Sequence, residues 1–132
     1  MSELRLGMVT MVVHDYDEAI DFFVGKLGFT LLVDRVESET KRWIEVAGSG
    51  GTRLLLAKAA NPEQATAIGN QAAGRVGFFL YTDDFDNTYA AMKSRGVVFE
   101  GDPRHETYGS VAVFVDLAGN RWDLIQPAGT MQ

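Results

Sequence analysis

The chain has 132 residues with 18 acidic against 12 basic side chains, a net charge of −6, which excludes the basic face that nucleic-acid binding needs and disfavours an anionic membrane surface. It has no cysteine, so a disulfide framework, a thiol nucleophile and a thiolate metal site are all excluded. The length suits one globular domain with its own core; no apolar run nears the roughly 20 residues of a membrane span, and MSELRLGMV lacks a secretion-signal pattern, so a cytoplasmic protein is expected.

In chain order, Leu6 to Val13 is apolar and β-branched and reads as a buried strand. Asp15-Tyr16-Asp17-Glu18 suits the positive end of a helix. Ala19, Ile20, Phe23 and Leu27 follow at helical spacing, Tyr16 is placed to staple the entry, and Gly28 stops the helix. Phe29 to Val36 is a second strand and Glu37 to Thr40 a polar turn. Arg42 to Ala47 is a third strand, Gly48 to Gly51 a turn, and Arg53 to Lys58 a fourth strand.

The segment from Ala59 to Gly74 is long for a turn. It reads as a linker with a short helical piece or as a flap over a pocket. The order then repeats: strand Arg75 to Thr82, an acidic helix start at Asp83 to Asn87, and Phe85, Tyr89 and Met92 at helical spacing up to Gly96. Three strands follow, Val97 to Glu100, Ser110 to Val115 and Arg121 to Gln126, with an irregular loop predicted over residues 101–109. Strand, helix and three strands thus occur twice, about 68 residues apart, which is the signature of an internal repeat.

The last strand is entered through the turn Asp116-Leu117-Ala118-Gly119-Asn120, whose Asp, Gly and Asn are turn-forming residues. It carries Asp123 between Trp122 and Leu124. A carboxylate in an apolar strand is costly to bury without a partner, so that face is either wet or lines a pocket.

The doubled βαβββ order, the segment Asp15 to Phe23 ending in Lys26-Leu27-Gly28-Phe29, and the closing Asp116 to Leu124 together resemble the vicinal oxygen chelate superfamily. That group includes glyoxalase I, bleomycin-resistance proteins, fosfomycin-resistance enzymes and extradiol dioxygenases. The usual closing pattern is Asp-Pro-x-Gly-Asn, two residues, then Glu-Leu; here Leu117 replaces the Pro and Asp123 the Glu. The match spans about Leu4 to Pro127. It implies an α+β fold of paired βαβββ modules that curl a mixed sheet into a cup with helices outside, as one glyoxalase-like domain (module one 4–58, connecting segment 59–74, module two 75–127). A homodimer is expected, because the modules leave strand edges that need cover.

The metal enzymes of this group place four ligands on the concave face. Carried over, these positions fall on Met8, Leu55, Gly77 and Asp123. A thioether, a leucine and a glycine cannot supply the N and O donors that Zn²⁺, Fe²⁺ or Mg²⁺ require, so no metal and no other cofactor is expected. With these positions as zero, period-two alternation points Met8, Thr10, Val12, Arg53, Leu55, Ala57, Gly77, Phe79, Tyr81, Arg121, Asp123 and Ile125 into the cup. Trp43 and Glu45 join them, as do Ser110, Ala112 and Phe114, with Tyr108 at the mouth and Glu106 beside it; Trp122 and Leu124 face a helix.

The expected ligand-binding residues are therefore Trp43, Arg53, Phe79, Tyr81, Glu106, Tyr108, Phe114 and Arg121, an aromatic lining with few polar groups; each aromatic taken singly reads as core, whereas the cup as a whole reads as a cavity. His14 reads as an exposed turn residue. His105 reads as a solvated loop partner of Glu106 or as half of an acid–base pair. The function expected is capture of a small, partly planar organic molecule without metal. The alternative is a glyoxalase-type lyase, isomerase or dioxygenase, metal-dependent or using Asp123 and Glu45 as acid and base.

Overall fold

The computed structural model describes residues 2–129. The chain divides into two compact units, one ending at Ile68 and the other beginning at Gly69, and each holds one βαβββ module. No helix among the described residues is long and apolar enough to cross a membrane.

The first unit runs β1 (Met8–Val13), α1 (Tyr16–Ile20), a π-helical segment (Asp21–Lys26), β2 (Thr30–Val36), β3 (Arg42–Ala47), β4 (Arg53–Lys58) and α2 (Pro62–Ala65). Its sheet order is β1-β4-β3-β2, with β1 parallel to β4 and the other pairs antiparallel. Asp15 caps α1 by accepting the Glu18 amide at 2.9 Å, as its position predicts. The single helix expected up to Gly28 is instead an α-turn that widens into π-helix. The wider turn brings neighbouring side chains closer in angle, so Phe22 and Phe23 are both buried, edge to face at 5.2 Å.

Met11, Val13, Ile44, Val46 and Leu56 form the helix-facing side of this sheet and are fully buried. Arg42 fastens the helix start to the hairpin. It donates to Asp34 at 3.2 and 2.8 Å and to Asp17 at 2.9 Å, and it stands 5.4 Å over the Tyr16 ring. The bonds to Asp34 and then Asp17 raise its already high pKa.

The second unit runs β5 (Val76–Tyr81), α3 (Phe85–Ser94), β6 (Val98–Glu106), β7 (Gly109–Val115) and β8 (Arg121–Pro127), in sheet order β5-β8-β7-β6. The acidic start of α3 does not cap it, since Asp84 makes no side-chain cap bond. Gln126 of β8 does this instead: its Oε1 accepts the Phe85 amide at 2.8 Å, and its Nε2 donates to the Asp83 carbonyl at 3.1 Å. An aromatic ladder fills the core, Phe78 on Trp122 at 4.6 Å, Trp122 on Phe114 at 5.5 Å and Phe114 against Phe99 at 5.7 Å.

The irregular loop expected over residues 101–109 is mostly strand. β6 continues to Glu106 and pairs with β7 on both sides of a register shift between Glu100 and Arg104. Gly101 (φ 72°) and Pro103 sit in that bulge. β6 lies at the edge of its sheet, where a bulge and a proline cost little.

The Asp116 turn is a closed hydrogen-bond hub. Asp116 is only 5% exposed. Its Oδ1 accepts the amides of Ala118, Gly119 and Asn120 at 2.9, 3.1 and 3.0 Å. Its Oδ2 accepts Asn120 Nδ2 at 3.1 Å and Trp122 Nε1 at 3.0 Å. Asn120 Oδ1 in turn accepts the Gln71 amide at 3.1 Å, which ties the end of the connecting segment to the turn. Gly69 (φ 71°) lies so close that an added Cβ would fall within 2.2 Å of the Ala118 carbonyl oxygen.

Candidate functional site

Each sheet has one face packed on its helix and one face open. In the first unit, strand register places Met8 beside Arg53, Thr10 beside Leu55 and Val12 beside Ala57, then Leu55 beside Glu45, and Glu45 and Trp43 beside Val33 and Arg35. These residues share the open face, as alternation predicts. Arg35 was not anticipated: its guanidinium stands 6.0 Å from the Trp43 ring centroid. The signal was present, since Arg35 alternates with Asp34 on a strand that pairs with Trp43.

Glu45 is the pivot of this face. It is 9% exposed. Its Oε2 accepts Trp43 Nε1 at 2.7 Å and its Oε1 accepts an Arg53 N–H at 2.6 Å. Bonding from Trp43, then from Arg53, outweighs the cost of burial and holds its pKa below the ordinary carboxylate value. A carboxylate with both oxygens committed is suited to fixing an indole and a guanidinium in place. Arg53 and Glu45 also line a shallow recess of about 590 Å³ with Arg5, Met8 and the Gly50-Gly51 turn.

A deeper cavity of about 650 Å³ lies at the opposite end of the same sheet. Trp43, Leu55 and Ala57 form its apolar wall; Tyr16, Ser38, Thr40, Lys41, Arg42, Lys58 and the start of the connecting segment (Ala59, Ala60 and Gln64) complete it. The connecting segment is shaped there by reciprocal capping, with the Gln64 amide on Asn61 Oδ1 at 2.8 Å and the Ala60 amide on Gln64 Oε1 at 2.7 Å.

In the second unit, Phe79 pairs with Asp123 and Tyr81 with Ile125, which puts Phe79, Tyr81, Arg121, Asp123 and Ile125 on the open face; Gly77 falls in a register shift between Val76 and Phe78, where alternation does not fix its face. Phe79 is 59% and Tyr81 54% exposed, large values for aromatic rings on a sheet. Trp122 and Leu124 are buried on the helix side, as expected. Asp123 Oδ1 is buried and has no hydrogen-bond partner among the described residues. Burial pushes the Asp123 carboxyl pKa up, against the opposing pull of Arg104 and then Arg121. Arg121 itself pairs with Glu100 at 2.9 Å.

Three expectations about this unit need correction. Phe114 does not face the cup. It stands directly opposite Trp122, is fully buried, and belongs to the aromatic core. Ser110 and Ala112 share its face. The open face of β7 is instead Val111, Val113 and Val115, opposite Ile125, Asp123 and Arg121. Alternation within β7 gives the period and not the phase; taken from Trp122 across the pair, it gives the observed face. His105 is not a loop partner of Glu106: its Nδ1 lies 2.8 Å from Ser110 Oγ and its ring meets Phe85 edge-on at 6.0 Å. Glu106 and Tyr108 are exposed residues at the β6–β7 turn.

The metal positions implied by the sequence resemblance do not fit an ion. In the first unit they offer the thioether of Met8 and the isobutyl group of Leu55; in the second, Gly77 and the single carboxylate of Asp123. No cluster of three or more His, Asp or Glu among the described residues is placed to hold a metal.

Two βαβββ units, each with a helix-covered and an open sheet face, define a glyoxalase-type α+β protein. The chain belongs to the Glyoxalase/Bleomycin resistance protein/Dioxygenase superfamily, whose family model matches residues 5–124. An uncharacterized protein of Shewanella frigidimarina (strain NCIMB 400) is 54% identical over 121 residues, 89% of this chain and 90% of that one. Among solved structures, UcmS2 is similar at 31% identity and a TM-score of 0.80, covering 94% of this chain and 98% of its own. TnmS3, an antibiotic binding protein from Streptomyces sp. CB03234, is similar at 33% identity and a TM-score of 0.76, covering 97% and 99%.

Proposed function

We propose that the protein captures a small, partly planar organic molecule on the open sheet faces without using a metal. The observation that carries this reading is Asp123. Its buried, unpartnered oxygen sits on the same face as two uncovered aromatic rings, Phe79 and Tyr81. An orphaned buried acceptor costs about 1–3 kcal/mol, and a ligand that presents an N–H or O–H donor there recovers it. The exposed rings supply apolar area, and Arg121 and Tyr108 supply polar edges. Trp43 and Arg53, fixed by Glu45, serve the same role in the first unit, and Glu106 frames the β6–β7 turn. The similarity to an antibiotic binding protein supports a binding role.

The exposed rings of Phe79 and Tyr81 also support a homodimer, because large apolar surface on an open sheet face is unfavourable in water; a monomer by light scattering would refute this. A second reading is acid–base chemistry at Asp123, favoured by its raised pKa, which moves a carboxyl toward useful proton transfer. Native mass spectrometry with elemental analysis, on protein purified without chelator, tests the main reading. A co-purified organic molecule and no stoichiometric metal is the expected result; one Zn, Ni, Mn or Fe per chain would overturn it. Asp123→Asn separates binder from enzyme. A binder loses affinity by about tenfold or less, one hydrogen bond's worth, whereas an enzyme loses turnover by orders of magnitude.

A further inference from the structure

We propose that the 650 Å³ cavity of the first unit is a site for an anionic molecule with a flat apolar body, the anion meeting Lys41 and Lys58 and the body lying along Trp43. This rests on the small-molecule reading above and adds the charge of the ligand. The volume falls within the roughly 300–1,000 Å³ of small-molecule pockets.

Three cationic side chains line the cavity and no acidic one does, in a chain whose net charge is −6. Arg42 is not available, because Asp34 and Asp17 already take its guanidinium. Lys41 and Lys58 are different: neither forms an ion pair among the described residues. Lys41 and Lys58 also border an adjoining recess of about 330 Å³ that Asp15 and Glu39 line, but neither acid makes an ion pair with either lysine among the described residues. An anion entering the cavity therefore meets two ammonium groups that no ion pair engages.

The apolar wall fixes the rest of the ligand. Trp43 Nε1 is committed to Glu45 at 2.7 Å, so the indole offers the cavity its ring surface and no donor. A polar edge on the ligand body gains nothing there, while a flat apolar body gains stacking and burial against Trp43, Leu55 and Ala57.

The test compares 1-naphthalenesulfonate with 1-naphthalenemethanol, which share a ring and differ in charge. Binding is followed by ¹H–¹⁵N NMR of the Trp43 indole, assigned with W43F. The sulfonate is expected to bind at least tenfold more tightly than the alcohol and to shift the Trp43 indole resonance. In K41Q/K58Q, two exposed positions whose substitution leaves the fold intact, the sulfonate should fall to within about twofold of the alcohol, with alcohol binding unchanged. Equal affinity for the two probes in the wild type would overturn the anion inference and leave the small-molecule reading standing, as would an unchanged sulfonate preference in K41Q/K58Q. Absence of any Trp43 response to either probe would overturn both for this unit.

Discussion

Asp116→Ala gives the sharpest test of how the closing turn is held. The carboxylate accepts five donors, but their losses are unequal. The Ala118 and Gly119 amides lie in a part-exposed turn and can bond water instead. Trp122 Nε1, Asn120 Nδ2 and the Asn120 amide belong to residues 3% and 4% exposed, and water reaches none of the three without opening the core. Three orphaned buried donors at about 1–3 kcal/mol each, partly offset by relaxation of the turn, give a loss of about 3–5 kcal/mol. That is a large part of the roughly 5–15 kcal/mol that holds a domain folded.

With a urea m-value of about 2 kcal/mol per M, the midpoint should fall by about 2 M, read by tryptophan fluorescence and far-ultraviolet circular dichroism. Asp116→Asn is the discriminating control. It keeps an oxygen for the three amides but aims its NH₂ at the Trp122 and Asn120 donors, so it should lose about 2–3 kcal/mol. A loss below about 1 kcal/mol in Asp116→Ala, or an Asp116→Asn variant as stable as the wild type, would refute the hub.

Three further predictions concern the open faces and the segment that borders them. Asp123→Asn should stabilise the protein at pH 7, because the raised folded pKa means that the ionised carboxylate is disfavoured there. That penalty is absent below the unfolded value near 3.8, grows as pH rises through the folded pKa, and is complete above it; urea melts at pH 7 and pH 3 should show the gain only at pH 7. Glu45→Gln should cost about 1–2 kcal/mol, discounted because Arg53 is half exposed. Since the folded pKa of Glu45 is lowered, its contribution is present above the unfolded value near 4.5 and lost as pH falls through the folded one. The gap between wild type and variant should therefore close on acidification, and the Trp43 indole proton resonance should shift. Gly69→Ala should lower the thermal midpoint by several degrees, about 2 kcal/mol for a strained positive φ and a Cβ against the Ala118 carbonyl; an unchanged midpoint would show that the segment is free to move away.

The architecture was legible because it is written twice. Tyr16, Ile20 and Phe23 are matched by Phe85, Tyr89 and Met92, and Gly28 by Gly96. A pattern repeated at one interval resists the ambiguity of any single apolar run. The faces of β1, β4 and β8, and of β5 from Phe78 onward, followed from alternation, because the pairing there is uninterrupted; Gly77 lies in the register shift at the start of β5. β7 failed because alternation gives a strand's period and not its phase: Phe114 stands opposite Trp122, and a phase wrong by one residue reverses every side chain. Phe114 was lost to the core in that way, and the three valines were missed.

What alternation also cannot give is partnership. The sequence places Glu45 and Asp123 alike, as acids on apolar strands facing the open side of a sheet. The structure separates them by their neighbours. Glu45 has an indole two residues away on its own strand and an arginine on the adjacent one, both within hydrogen-bond reach. Asp123 has Phe79 on one side and Val113 on the other, and Arg121, its neighbour along the strand, is taken by Glu100. One carboxylate is therefore satisfied within the protein and held ionised, and the other is left with a buried free oxygen and a raised pKa. A protein built only for stability has no use for the second arrangement. On the proposed capture reading, that oxygen waits for a donor from outside, and the stability that Asp123→Asn regains at pH 7 measures what that readiness costs.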